Sequence, residues 1–202
     1  MEKPKQKKSI SSRKDQIIET AVKLFYDRCF DAISVNDIAS TVGITKAGLY
    51  HFIKNKEYLL YLIINYGLDL LENQVMKPAK AIKDPEERIR FVFANHIRLI
   101  TREHKEYQVA IHERNTLSPE YQNKIVQRKR AYLDFITETL TELKEKSQTN
   151  DIDVTSAAFA LLGMINWFYQ WYKPDGRLTE EKLIYDMVSL FFNGFVKQPS
   201  TK

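Results

Sequence analysis

Residues 34–52 read SVNDIASTVGITKAGLYHF, and this stretch decides the fold. Ser34, with Asp37 three residues on, caps a short helix that runs to about Thr41. Gly43 can take the positive φ that ends a helix, and Thr45 caps a second short helix over about residues 46–52. Two short helices joined around a glycine make the helix-turn-helix pattern, whose second helix reads a DNA major groove. Val35, Ile38, Ala39 and Val42 are expected to face inward from the first helix, and Ile44, Leu49 and Phe52 from the turn and the second helix. Thr45, Lys46, Ala47, Tyr50 and His51 are left on the exposed side. They offer hydroxyls, a base-edge donor, a methyl that can meet thymine, and phosphate partners. A packing aromatic at Tyr50 and a solvated histidine at His51 are the plainer alternatives.

Outward from this core, apolar residues recur at helical spacing before and after it. Ile17, Ile18, Ala21, Leu24 and Phe25 predict a helix over about residues 13–29. Asn55 caps a long helix from Lys56 to about Val75, ended before Pro78. Asp84 caps a helix with Pro85 at its first position. Further helices are predicted over about 105–115, 119–146, 153–172 and 179–196. No segment alternates with period two. The expected fold class is all-α: an N-terminal three-helix helix-turn-helix domain and a C-terminal helical bundle, about nine helices in all. The expected boundaries are a disordered basic arm over 1–12, a DNA-binding domain over 13–60, and a ligand-binding and dimerisation domain over 61–197.

The 202 residues carry only 6 Gly and 6 Pro, which suits long helices. The formal excess of +5 is concentrated at the start, where Lys3, Lys5, Lys7, Lys8, Arg13 and Lys14 face only Glu2. Charge alone leaves two readings of this tail, a solubilising segment or an arm that gains affinity by displacing phosphate counterions; the pattern that follows it favours the arm. The one cysteine, Cys29, excludes an internal disulfide and fits a reducing cytoplasm. It is read as a small core residue among Phe25, Tyr26 and Phe30. No apolar signal region follows the lysines and no apolar run reaches membrane-spanning length, so a cytoplasmic protein without a membrane partner is expected. The histidines, His51, His96, His104 and His112, form no HExxH pair, and there is no Gly-rich phosphate loop and no G-x-S-x-G elbow. An enzyme, a metal site and a cofactor are therefore not expected.

Residues 13–60 resemble the DNA-binding domain of TetR-family transcriptional regulators. The likeness lies in Ala21-x-x-Leu24-Phe25, in Phe30-Asp31-Ala32-Ile33-Ser34-Val35-x-Asp37-Ile38-Ala39, in the run Val42 to Phe52, and in Lys54-x-Lys56-Glu57-x-Leu59-Leu60. Cys29 departs from the glycine common in the family directly before Phe30. The resemblance implies that Thr45, Lys46, Ala47 and Gly48 face bases or sugar edges, with Gly48 letting the backbone approach. It implies that Tyr50, His51 and Lys56 meet phosphates, with Ser34 and Thr41 as further phosphate candidates.

The last two predicted helices are apolar on nearly every side. In one, Phe159, Leu162, Gly163, Asn166 and Gln170 form one stripe, and Leu161, Met164, Ile165, Phe168 and Tyr172 lie opposite. The other carries Leu183, Ile184, Met187, Leu190, Phe191, Phe192 and Phe195. Helices apolar all round must be buried all round. A homodimer interface of four helices explains this, as the family resemblance also implies, and it presents two reading helices to a palindromic operator; a single-subunit core is the alternative. Polar groups among the apolar stripes suggest a mainly apolar effector cavity lined by Phe93, His96, Ile97, Ile100, Ile111, Phe135, Asn166 and Tyr169; internal packing is the alternative for each. The stretch Trp167-x-x-x-Trp171-Tyr172-x-Pro174-x-Gly176 is similar to a subgroup that regulates fatty-acid or sterol degradation in response to acyl-CoA thioesters. It implies a repressor whose hydrophobic effector is a fatty acyl-CoA, the headgroup lying near Arg98, Arg102 or Arg128.

Overall fold

The computed structural model describes residues 12–146 and 150–195. The arm expected over 1–12 lies, Ser12 apart, outside the described residues. So do residues 147–149 and the chain beyond Phe195. Among the described residues there are helices and no strand, as the periodicity requires. Backbone contacts divide the chain into two units. One takes residues up to Asn65 together with Lys105–Gln122, and the other takes Tyr66–His104 and everything from Asn123.

In the first unit, α1 (Arg13–Arg28) opens with a capping box in which the Ser12 hydroxyl accepts from the Asp15 N–H and Asp15 accepts in return from the Ser12 N–H. It buries Ile17, Ala21, Val22 and Phe25. Cys29 then turns the chain at φ 64°, ψ 158°. Cys29 is exposed, which corrects its reading as a core residue. The helix has ended there, and Phe30 is the residue that folds back, its ring 5.1 Å from that of Phe25. Helices α2 (Val35–Val42) and α3 (Lys46–Tyr50) follow, then α4 (Lys56–Leu71). Most of α7 (His104–His112), a short 3-10 turn (Arg114–Thr116) and the first residues of α8 (Pro119–Lys146) also belong to this unit.

The chain does not stop before Pro78. It passes from α4 through a π turn (Glu72–Met76) into α5 (Lys77–Lys80), which contains Pro78. Proline cannot donate to the carbonyl four residues back and its ring crowds that carbonyl. The wider turn, with the Lys77 N–H reaching the Glu72 carbonyl, accommodates it.

The second unit is built on α6 (Pro85–Arg102), capped by Asp84, which buries Ile89, Val92, Phe93, His96, Ile97, Leu99 and Ile100. Against it pack α9 (Val154–Trp171) and α10 (Glu180–Phe195). The Arg98 guanidinium grips Glu181 through two contacts, at 3.1 and 2.7 Å, and Arg90 lies 4.0 Å over the Phe192 ring. On α9, Ala157, Ala158, Leu161, Ile165, Phe168 and Tyr169 are buried. The opposite stripe is bare: Phe159 and Trp167 are each 58% exposed and Asn166 is also at the surface. On α10 the outward apolar residues are Tyr185 and Leu190, 67% and 69% exposed, whereas Phe191 is buried beside Phe93. Leu190, and not Phe191, therefore stands on the open face.

Candidate nucleic-acid interface

The two helices of the reading motif are fixed by local hydrogen bonds that short polar side chains supply. The Ser34 Oγ accepts from the Asp37 N–H at 3.2 Å and donates to the Asp37 carboxylate at 2.6 Å, while the Ser34 N–H donates to the same carboxylate at 2.7 Å. These Ser34 contacts hold the exposed Asp37 carboxyl below its usual range. At the other end Gly43 takes φ 77°, ψ 37°. The Gly43 and Ile44 N–H groups then reach back to the Ser40 and Ala39 carbonyls, closing the helix in the way a left-handed glycine allows. The Thr45 Oγ1 accepts from the Gly48 N–H at 3.0 Å and starts α3.

Ile38, Ala39 and Leu49 are buried between the helices, while Val35, Val42 and Ile44 are half-buried. Phe52, expected inside, is 39% exposed, and Ile53 fills the core instead at 2%. The reason is that α3 ends at Tyr50 and the chain turns at His51, so inward register falls one residue later. On α3 itself Leu49 anchors the buried side. Thr45, Lys46, Ala47, Tyr50 and His51 are all exposed; the last four project within about 140° of helical arc. The structure thus brings the central reading candidates together on one open face. A Cβ on Gly48 would meet the Thr45 Oγ1 at 3.2 Å, so the glycine also makes room for the cap.

The other DNA candidates are placed differently. Ser34 and Thr41 are exposed, and the Thr41 hydroxyl donates to the Asp37 carbonyl at 2.7 Å. Lys56 is drawn inward. Its Nζ donates to the Phe30 and Ile33 carbonyls at 2.9 and 2.8 Å and sits 4.0 Å over the Phe30 ring. The ammonium expected to meet a phosphate instead braces the loop between α1 and α2.

Sequence reasoning missed the segment that completes this unit. The Glu113 carboxylate accepts from the Phe30 N–H at 2.9 Å, and the Glu57 carboxylate accepts from the Ser118 N–H at 2.6 Å. Tyr121 stacks on Tyr61 at 4.5 Å and lies 6.1 Å from Tyr58. The Lys105 ammonium stands 5.3 Å from the Tyr26 ring centre. The only sequence signal was the density of aromatic and acidic residues, which names no partner at such separations.

The expected effector residues divide likewise. Phe93, His96, Ile97, Ile100, Phe135 and Tyr169 are buried in the second unit. Asn166 is exposed on the bare stripe of α9, and Ile111 is half-buried in the first unit. Neither joins the other six. His96 and Tyr132 form a buried pair, with Nδ1 and the phenol oxygen 3.2 Å apart and the rings edge to face. Burial lowers the His96 pKa to about 3 and pushes the Tyr132 phenol up. A cleft of about 80 Å³ lies beside this pair, lined by Leu68, Leu71, Glu72, Met76, Arg128, Ala131 and Tyr132. Among the described residues no helix is long and apolar enough to cross a membrane.

Residues 17–61 match the family described as bacterial regulatory proteins, tetR family, and residues 83–195 match the tetracyclin repressor-like C-terminal domain. The HTH-type transcriptional repressor KstR2 of Mycolicibacterium smegmatis is 26% identical over 200 residues, covering 95% of each chain. The crystal structure of AibR in complex with isovaleryl coenzyme A and operator DNA superposes with a TM-score of 0.82 at 42% identity, covering 89% of this chain and 97% of that one. PfmR from Thermus thermophilus, a TetR family transcriptional regulator, gives a TM-score of 0.81 at 30% identity, with 88% and 97% covered. With both of its segments matched and more than half of its length covered by the C-terminal domain alone, the chain belongs to the TetR family of transcriptional regulators.

Proposed function

We propose that this protein is a dimeric repressor that grips a palindromic operator through α3 and lets go when a small hydrophobic effector, a CoA thioester of an acyl group, occupies its second unit. The observation that carries the DNA reading is the open face of Thr45, Lys46, Ala47, Tyr50 and His51, held rigid by the buried Leu49 and the Thr45 cap. Lys46 is the base-edge donor; Tyr50 and His51 supply hydrogen bonds to phosphate. Residues 13–60 would form the DNA-binding domain, braced by 105–122, and the remainder would bind effector and dimerise.

The bare stripe of α9 with Tyr185 and Leu190 of α10 supports dimerisation. Large apolar side chains left in water on adjacent elements mark an association surface, and small Gly163 lets a partner helix approach. The effector class is supported by the complex of AibR with isovaleryl coenzyme A and by the W-x-x-x-W-Y-x-P-x-G stretch.

Selection of duplexes from a random library by the full-length protein tests this reading. Enrichment of a two-fold symmetric site, with half-site centres about one helical turn apart and release by acyl-CoA thioesters, is expected. Binding that follows salt alone, with no enriched sequence, would contradict it.

A further inference from the structure

The cleft between α4, its π turn and α8 is not among the positions to which the sequence pointed, yet it has the features of a ligand site. Its walls are apolar, from Leu68, Leu71, Met76, Ala131 and the Tyr132 ring, and its polar groups are confined to Glu72 and Arg128. Glu72 and Met76 are the first and last residues of the π turn, a departure from α-helical winding that clusters at functional sites. The wall formed by Tyr132 is fixed from behind by its buried contact with His96.

The charges at the rim close on one another. Arg128 reaches Asp69 at 2.8 Å and Glu72 at 3.0 Å, and Lys77 reaches Glu72 at 3.3 Å. A ligand part that carries phosphate or a free ammonium finds no uncompensated partner here. A neutral group with one carbonyl acceptor does, because a guanidinium has five N–H donors and can keep its carboxylates while donating another. Size narrows the class further. At roughly 10–15 Å³ of such volume for each water-sized position, about 80 Å³ holds on the order of five to eight heavy atoms.

We infer that this cleft is the acyl-chain subsite of the effector, taking a short acyl group of about four to six carbons whose carbonyl oxygen accepts from Arg128, with the nucleotide portion of the thioester left outside. This rests on the effector class proposed above and narrows it from long fatty-acyl chains to short ones. Occupation of the cleft bears directly on the π turn, so ligand affinity would depend on which winding α4 adopts there.

The test is calorimetric titration of the full-length protein with butyryl-, isovaleryl-, octanoyl- and palmitoyl-CoA and with free isovalerate. Wild type is expected to bind the four- and five-carbon thioesters at least tenfold more tightly than palmitoyl-CoA. Ala131→Phe, which fills the cleft from an exposed helix position, should weaken the short thioesters at least tenfold while leaving operator binding and melting temperature as in wild type. Leu68→Trp should do the same from the opposite wall, and Arg128→Gln should weaken thioesters of every length. Tight short-chain binding unaffected by both filling variants would overturn the cleft and keep the effector class. Preference for palmitoyl-CoA would overturn the size argument. Failure of every thioester to bind would overturn the effector class itself.

Discussion

Cys29 sits at φ 64°, ψ 158°, a region that is essentially glycine territory. The departure from the family's glycine was visible in the sequence, but a sequence does not carry φ, so the substitution read as harmless. The structure gives it a cost. A side chain held there stores about 1–3 kcal/mol, and glycine's extra unfolded freedom returns about 0.5–1 of it. Cys29→Gly should therefore stabilise the protein by about 1 kcal/mol, read as a rise in the denaturant midpoint at constant slope; an unchanged or lower midpoint would refute the strain. His96 supplies the second residue-scale prediction. Its pKa falls to about 3 in the folded chain, below the unfolded value of about 6.5. The stability linked to it is complete above pH 6.5 and is lost as pH falls from there towards 3, by up to about 1.4 kcal/mol per pH unit. Melting temperatures of wild type and His96→Gln, measured from pH 7 to pH 4, should show the steeper acid loss in wild type. Parallel curves would show that His96 is not what titrates.

At the scale of elements, most of what is local was legible. Ser34, Thr45, Asn55, Asp84 and Asp153 all accept from the N–H three residues on, because a cap is decided by a side chain and the turn that follows it. What escaped was non-local or cumulative: the π turn that admits Pro78, the one-residue slip that exposes Phe52 and buries Ile53, and the 113–121 segment. Removing the Thr45 cap should loosen α3 alone. Thr45→Ala should cost about 1 kcal/mol and reduce operator affinity beyond the share of a single lost contact, whereas Thr45→Ser should restore both. Glu113→Ala should cost about 1–3 kcal/mol by leaving the Phe30 N–H without its acceptor. Hydrogen exchange would report the loss at residues 29–34 and 113–118 together. Exchange unchanged at 29–34 would show that Glu113 does not brace that loop.

For the whole molecule, the all-helical class and the reading motif followed from periodicity and capping. The effector residues did not, because a stripe of apolar residues with a few polar ones looks the same whether it lines a cavity or packs a core. Phe93, His96, Ile97 and Ile100 are packed on α6, and the cleft draws on α4 and α8. The dimer face was half legible: all-round apolarity revealed that a face was left over, but not which side of α10 was open. Leu190→Glu should split the dimer in sedimentation while preserving the fold. Phe191→Glu should destabilise the subunit itself, because Phe191 is buried. A Leu190→Glu protein that still sediments as a dimer would move the interface elsewhere. The account rests most on α3 as the reader of DNA sequence, and fluorescence anisotropy at fixed salt tests that directly, with the selected palindrome measured against scrambled duplex. Wild type should prefer the palindrome by about 10³-fold or more, and Lys46→Ala, with unaltered melting and sedimentation, should lose at least tenfold of that preference. Equal preference in the two proteins, or none in wild type, would contradict the account.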